Sequence, residues 1–304
     1  MKKILLILAA AALSLSPLRA QTDEEFRAQY LRQASAVGLS GMGVDYILGK
    51  WEKAFPESPA MLRARFSYMF DKCRMSQMVI KDQSRFLGEA PVVTLKDSLG
   101  RDVNYFEEFI YDDALFGAAL KYLDRGIEAR PDDISFRFDK ISALLAYEKE
   151  SPEMAGGEIL ALIDLEASSH PAWRDGDAEL EREDFASGIQ DYCSILYGIA
   201  SPVSYEMFRG ISERMAKLYP GRAEFMCNLG SYWFGAQKNY NKALNCYGKA
   251  LKIDPDNYAA IKNCVLAARK GGNVKMEKKY LPMLIRVTPS EAERRAAEAR
   301  LGVL

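Results

Sequence analysis

The pattern of apolar and polar positions predicts helices along almost the whole chain. Apolar residues recur at intervals of three and four within 136–147, 159–165 and 185–196, which is the spacing of one face of an α-helix. Within 220–255, two further helical patterns stand on either side of a polar break at 237–239. The pattern as a whole predicts an all-α protein of about twelve helices.

One segment departs from the helical pattern. Residues 91–105 contain two β-prone runs on either side of a turn sequence at 97–100. This predicts a β-hairpin that is inserted between the two helices of a single pair. An insertion in such a loop leaves the helix packing intact, and surface loops of this kind often carry function. Two interpretations stay open: the hairpin is a binding element, or it only shields one helix pair.

Prolines near the C-terminus mark a repeat. Pro255 follows Pro220 by 35 residues, and Pro289 follows Pro255 by 34. The small residues of the first unit allow two helices to approach closely, and its last proline cannot continue the second helix. This unit resembles a tetratricopeptide repeat. It matches the residues and the spacing of that family at Leu229, Gly230, Tyr240, Ala243, Tyr247, Ala250 and Pro255.

The second unit, 258–289, keeps the length of the repeat but is more divergent. Glu277 stands where the family prefers alanine, so tight packing of the helices is not expected there. Weaker matches to the family's second helix occur farther back, as around Gly126. The resemblance implies an α-solenoid of about six tetratricopeptide-like helix pairs, divergent over 21–219 and clear over 220–289.

Residues 290–304 are expected to end the array as a capping helix. Thr288 and Pro289 resemble a helix start, with the threonine as N-cap and Glu291 reaching back to it. The helix that follows is polar on most faces and carries a thin alanine stripe. A repeat stack needs such a polar end, since no further repeat covers it.

The first twenty residues have the layout of a secretory signal peptide. Lys2 and Lys3 precede an apolar run at 4–15, and Ala20 offers a cleavage site. The alternative is a membrane anchor, but the apolar run is shorter than the ~20 residues that span a bilayer. We therefore expect residues 1–20 to be removed, and a bacterium to export the protein to its periplasm or cell surface.

Composition and charge exclude several classes of protein. Hydrophobic residues make up 49% and charged residues 27% of the chain, as in ordinary folded proteins. Three of the 41 basic side chains lie in the leader, which leaves 38 against 42 acidic ones and a net charge of −4. Nucleic-acid binding needs a basic surface, so no nucleic acid is expected as a partner. No membrane insertion is expected once the leader is removed, because no later segment is long and apolar enough.

The sequence offers little catalytic chemistry. His170 is the only histidine, and no G-x-S-x-G sequence accompanies it, so a hydrolytic triad is not expected. The acidic run at 175–184 lacks the glycine position of an EF-hand loop, and its later carboxylates are expected to start a helix. We predict that the protein is not an enzyme and uses no metal or cofactor. A hydrolase is the weakest alternative, because any acidic protein offers paired carboxylates.

The cysteines suggest neither a metal site nor a disulfide framework. Their number is odd and none forms a C-x-x-C pair, so small buried side chains are the simplest interpretation. Pairing stays open, with Cys246 and Cys264 on successive helices as the first candidates. The five residues are Cys73, Cys193, Cys227, Cys246 and Cys264.

The resemblance also implies a place for binding. In the tetratricopeptide family the first helices of successive pairs line a concave groove, where extended peptides commonly bind. Asn228 and Asn263 occupy a position that often bonds a peptide backbone, and Lys262 and Arg269 would add positive charge. Ser231 stands where a full carboxylate clamp would have a further asparagine, so recognition of a C-terminal carboxylate is not favoured. The alternative for these residues is a structural role, such as bonds between neighbouring helices.

These features predict a non-catalytic scaffold of the cell envelope that binds another protein or an extended peptide through the groove. A structural subunit of an envelope assembly is the alternative. The sequence leaves the partner and the oligomeric state open.

Overall fold

The computed structural model describes residues 21–304, so the predicted signal peptide at 1–20 lies outside the described residues. Within 21–304 the chain forms 13 helices and five strands. The helices are α1 (Asp23–Val37), α2 (Val44–Ala54), α3 (Pro59–Cys73), α4 (Asp113–Ala129), α5 (Ile134–Glu148), α6 (Glu153–Ser169), α7 (Arg182–Ile199), α8 (Pro202–Leu218), α9 (Ala223–Gly235), α10 (Tyr240–Ile253), α11 (Tyr258–Lys270), α12 (Val274–Val287) and α13 (Glu291–Gly302).

The first twelve helices form six pairs. Within each pair, from α1 with α2 to α11 with α12, the two helices pack on each other. Successive pairs stack through contacts such as α6 with α8 and α9 with α11, and α13 packs on α12. The predicted helical solenoid is confirmed. None of the helices in the described part of the chain is long and apolar enough to cross a membrane.

Short polar residues begin most of the helices. In each case the side-chain oxygen of the residue before the helix accepts a hydrogen bond from the backbone N–H three positions later, which satisfies a donor that the helix itself leaves free. Helix boundaries are therefore encoded locally, between the apolar stripes. Examples are Thr22, Ser58, Asp112, Ser201, Asn239 and Asn257.

Aromatic rings pack directly against glycines where helices cross. A Cβ on Gly230 of α9 would lie 2.4 Å from the ring of Tyr247 in α10. A Cβ on Gly126 of α4 would lie 2.3 Å from the ring of Phe136 in α5. Both rings are buried. These glycines therefore set the distance between the helices, as the repeat motif predicts for Gly230.

Two glycines of α4 should respond oppositely to alanine. We expect Gly126→Ala to lower the free energy of unfolding by about 2–3 kcal/mol, because the fully buried ring of Phe136 has no room to move. Gly117 has open space around it, so Gly117→Ala should raise stability by about 0.5–1 kcal/mol through helix propensity alone. Urea unfolding of both variants measures this. If Gly126→Ala stabilised the protein, α4 and α5 would have to lie farther apart than the structure shows.

The capping helix starts later than the sequence predicted. Its N-cap is Ser290, whose hydroxyl accepts from the backbone N–H of Glu293, and not Thr288. Thr288 instead ends α12 and donates its hydroxyl to the carboxylate of Glu293. The reason is that α12 continues to Val287, which leaves Thr288 as its C-cap.

Glu277 is packed tightly, contrary to the expectation from its departure from alanine. Its side chain is buried between α11, α12 and α13, and only 1% of the residue is exposed. One carboxylate oxygen accepts from Arg269 Nε at 2.8 Å and from Arg300 Nε at 2.9 Å. The other accepts from Arg300 Nη2 at 3.0 Å. The burial is tolerated because two guanidinium groups satisfy the carboxylate, and this cluster ties α13 to the last pair.

A three-stranded antiparallel sheet is inserted between α3 and α4. It contains β1 (Arg74–Lys81), β2 (Val93–Lys96) and β3 (Asp102–Tyr111), in the order β1-β3-β2. Strands β2 and β3 form the predicted hairpin, and the carboxylate of Asp97 accepts from the backbone N–H of Leu99 and Arg101 in its turn. Strand β1 was not predicted. Its sequence, RMSQMVIK, contains good helix formers, and only pairing with β3 makes it a strand.

A second, minimal hairpin interrupts the acidic run. Strands β4 (Arg174–Asp175) and β5 (Ala178–Glu179) pair across a turn in which Gly176 has a positive φ of 60°. Only the later carboxylates, Glu183 and Asp184, lie in the first turn of α7. The acidic run is thus divided between a turn and a helix start.

Candidate binding groove

The first helices of the pairs form one side of the solenoid, which we call the first-helix face. It consists of α1, α3, α5, α7, α9 and α11. Hydrogen bonds between side chains connect these helices and α13, and we call these contacts the polar bridges. They include Arg63 Nε to Asp139 Oδ2 at 3.0 Å, Ser142 Oγ with Tyr192 Oη at 3.1 Å, Asn228 Nδ2 to Gln190 Oε1 at 2.7 Å, and Lys262 Nζ to Glu293 Oε1 at 3.0 Å.

The two predicted groove residues on α9 contact other helices. Asn228 is only 8% exposed and donates its side-chain amide to Gln190 of α7. The return contact, from Gln190 Nε2 to Asn228 Oδ1, is long at 3.4 Å. Ser231 is half-buried, and its hydroxyl lies 3.2 Å from that of Tyr247. Both side chains therefore contribute to helix packing, whether or not a ligand also contacts them.

The two predicted basic residues of α11 form ion pairs. Lys262 donates to Glu293 of α13, and this hydrogen bond raises the pKa of the lysine. Arg269 donates to the buried carboxylate of Glu277. Glu293 of α13 therefore neutralises Lys262, and Glu277 of α12 neutralises Arg269, so both positive charges that the sequence placed in the groove are paired.

Asn263 differs from the other predicted residues. It lies between Lys262 and the buried Cys264 on α11, and it is half-buried. Among the described residues, no hydrogen bond of its side-chain amide is formed. Its donor and acceptor are therefore free for a ligand, so Asn263 is the predicted residue whose geometry best fits backbone recognition.

The structure adds an exposed strip on α7 that the sequence analysis did not identify. Ser187, Asp191, Ser194 and Ile195 lie on the side of α7 opposite its buried residues, and all four are exposed. Ile195 exposes 48% of its surface, whereas the other isoleucine and leucine side chains at 185–196 are buried. The available sequence signal was Ile195 itself, since it falls outside the apolar stripe of the helix.

The only histidine lies beside the buried carboxylate of Glu166. His170 ends α6 in a left-handed conformation, and its Nδ1 lies 4.0 Å from Glu166. Glu166 is buried and accepts hydrogen bonds from Trp173 Nε1 at 2.9 Å and from the Tyr219 hydroxyl at 3.0 Å. A cavity of about 280 Å³ adjoins the cluster, and the described residues that line it include no serine, threonine or cysteine. The arrangement ties the loop between α6 and α7, and the end of α6, to the residue that follows α8.

The thiols of the protein are unpaired in the structure. All five cysteines are free, including Cys246 and Cys264, which the sequence suggested as the first candidates for a bridge. Burial raises the pKa of the Cys193 thiol to about 12, so this group stays protonated and unreactive at neutral pH. Within residues 21–304, no group of three or more histidine, cysteine or acidic side chains could hold a metal ion.

Comparison with known proteins gives similarity of fold only. No family model matches the chain, and no curated protein matches it. Among solved structures, MamA from Desulfovibrio magneticus RS-1 is 16% identical, covering 58% of this chain and 89% of its own, with a TM-score of 0.38.

Two other solved structures are similar to the chain at comparable levels. YrrB, described as a TPR protein with an unusual peptide-binding site, is 14% identical over 60% of this chain and 84% of its own, with a TM-score of 0.39. The pilF protein of Pseudomonas aeruginosa is 11% identical over 92% of this chain and 100% of its own, with a TM-score of 0.37. The stacked helix pairs make the protein a helical-repeat solenoid, and residues 220–255 carry a motif that resembles a tetratricopeptide repeat.

Proposed function

We propose that the protein is a non-catalytic scaffold that binds an extended segment of another protein along the first-helix face. The observation that carries the proposal is the exposed strip of α7. Its apolar residue, Ile195, stands beside polar side chains on a rigid helix, and this combination suits an extended segment with alternating side chains.

The polar bridges support the same proposal. They fix polar side chains on the first-helix face before any ligand arrives, so little side-chain entropy is lost on binding. Asn263 adds a free amide near the C-terminal end of this face. We propose that Asn228, Ser231, Lys262, Asn263 and Arg269 border the binding surface, with Asn263 in direct contact and the other four mainly shaping it.

We further propose that the scaffold works outside the cytoplasm. The support is the layout of residues 1–20, with two lysines, an apolar run and a small residue at the expected cut. A bacterial periplasm or cell surface is the compartment that such a leader serves. The partner is therefore expected among envelope proteins.

The test is co-purification followed by a matched pair of substitutions. Residues 21–304 are used as bait in an envelope extract, and the partner is identified by mass. Ile195→Arg should then weaken partner binding at least tenfold, because a long charged side chain replaces the apolar contact that the strip offers. Ile253→Arg is the control, since Ile253 is a comparably exposed isoleucine on α10, a second helix.

Isothermal titration calorimetry with the purified partner measures both variants. Equal affinities for Ile195→Arg and Ile253→Arg would remove the first-helix face from consideration. The joint change of Lys262 and Asn263 to alanine extends the test to α11, where we expect a roughly thirtyfold or greater loss of affinity. Thermal unfolding must accompany it, because Lys262 also binds Glu293.

A structural subunit of an envelope assembly is the second candidate. It is favoured by the exposed apolar side chains of the inserted sheet, such as Met75 and Leu99. Permanent subunits bury such surfaces, whereas free monomers seldom expose them in groups.

A further inference from the structure

Exposed large hydrophobic residues are concentrated in the inserted sheet. Of the 18 such residues in the described part of the chain, eight lie between Arg74 and Tyr111. Their density there is about five times that in the rest of residues 21–304, which marks the insertion as an interaction surface. The eight are Met75, Met78, Ile80, Val92, Val93, Leu95, Leu99 and Ile110.

The strand pairing places several apolar residues on the same face. Directly opposite residues of an antiparallel pair share a face, and here Met78 lies opposite Glu107, while Ile80 lies opposite Tyr105. The opposite face carries the buried Phe106, which packs on the ring of Phe86. We call the exposed side the apolar sheet face; its apolar members include Met78, Ile80, Val93, Leu95, Val103, Tyr105 and Phe109.

Strand β1 is an open edge. The strand order leaves its outer side unpaired, and within residues 21–304 no backbone hydrogen bond from outside the sheet reaches it. Residues 75–78 are all exposed, so no side chain of the described chain covers the strand there. Its eight residues include no proline or glycine, and its charges lie only at the two ends. An edge of this length without a blocking feature is a template for another strand.

We propose that two copies of the protein pair antiparallel through their β1 edges, with the two-fold axis at Met78. A two-fold axis perpendicular to the sheet keeps both apolar sheet faces on one side, so each residue must pair with one of the same face. At this register Ser76 faces Ile80 of the other copy, and Arg74 faces Asp82. By symmetry the dimer contains two such pairs of Arg74 with Asp82. The two three-stranded sheets become one sheet of six strands.

The neighbouring register fits less well. Centring the axis on Gln77 would place Arg74 opposite Ile80 and would place Lys81 opposite Cys73. Cys73 is buried at the end of α3 and cannot join a strand pair. The Met78 register therefore pairs all eight residues of β1, and it places Arg74 opposite Asp82, the residue after the strand. Pairing of one strand buries less than the ~800 Å² per partner of a standard interface, so we expect a micromolar dissociation constant.

Sedimentation equilibrium of residues 21–304 between about 1 and 200 µM tests the proposal. We expect a monomer–dimer equilibrium in wild type. Met78→Lys should weaken it at least tenfold, because two lysines then face each other across the axis. Met78 is 53% exposed, so the monomer should keep its fold. Met42→Lys is the matched control, since Met42 is 89% exposed and lies outside the sheet, and it should dimerise as wild type does.

A charge exchange tests the register itself. Asp82→Arg should weaken dimerisation by placing two arginines together, and adding Arg74→Asp should restore it. Circular dichroism melts confirm that each variant is folded. A monomer at every concentration, or equal behaviour of Met78→Lys and Met42→Lys, would overturn the proposal. The outcome is independent of the first-helix face, because Met78 lies in the insertion and Ile195 on α7.

Discussion

Replacing Ala250 by arginine is expected to lower the free energy of unfolding by more than about 4 kcal/mol. Ala250 of α10 is fully buried, and it belongs to a cluster with Ala223 at the start of α9 and Ala260 of α11. Three helices approach each other through these small side chains. An arginine there must separate the helices and bury a charge without a partner, and both effects are strongly destabilising.

The control for this change lies two residues later on the same helix. Lys252 is exposed, so Lys252→Ala should change the free energy of unfolding by no more than about 0.5 kcal/mol. Guanidinium chloride unfolding of both variants, followed by circular dichroism, provides the comparison. Similar midpoints for the two proteins would mean that Ala250 does not lie at the crossing of three helices.

Replacing Glu277 by glutamine is expected to destabilise the protein by about 2 kcal/mol at pH 7. The carboxylate accepts three charge-assisted hydrogen bonds from Arg269 and Arg300, and such bonds contribute about 1.5–3 kcal/mol each when buried. Both arginine side chains are partly exposed, so water replaces part of what they lose, and the expected effect is smaller than the sum.

This effect should depend on pH in a defined direction. Hydrogen bonds from Arg300 and Arg269 hold the pKa of Glu277 below its ordinary value. A carboxylate with a lowered pKa in the folded state stabilises the protein above its unfolded-state pKa, near 4.3. That stability is lost as the pH falls through the lowered folded-state value. The difference between wild type and Glu277→Gln should therefore be complete at pH 7 and shrink below about pH 4.

Urea unfolding at pH 7 and pH 3.5 measures the difference. Glu298→Gln is the matched control, because Glu298 is an exposed glutamate on α13. A difference between wild type and Glu277→Gln that stays constant with pH would contradict the role of the ionised carboxylate in holding α13.

Local patterns predicted most of the helical architecture. The motif residues Ala243, Tyr247 and Ala250 are all buried on one stripe of α10, as the repeat spacing requires. This stripe could be predicted because helix packing repeats every three to four residues and needs small residues at fixed positions. The hairpin of β2 and β3 was predictable for a similar reason, since a turn sequence lies between two β-prone runs.

The candidate site was harder to predict than the fold. Asn228 and Lys262 are on the expected helices, but the partners of their side chains, Gln190 and Glu293, lie 38 and 31 residues away in the chain. Family spacing indicates which side of a helix a residue occupies. It does not indicate which distant side chain will form a hydrogen bond with that residue.

Periodicity, capping residues and turns act over a few neighbouring residues, so they are enough to predict the repeat, most of the helices and the hairpin of β2 and β3. Tertiary structure alone decided that Glu277 is buried, that β1 is a strand and that α13 neutralises Lys262. Each of these depends on contacts between segments that are distant in the chain: two arginines around one carboxylate, pairing with β3, and the docking of the last helix. Such contacts override local propensity because their energy comes from partners that only the folded chain brings together.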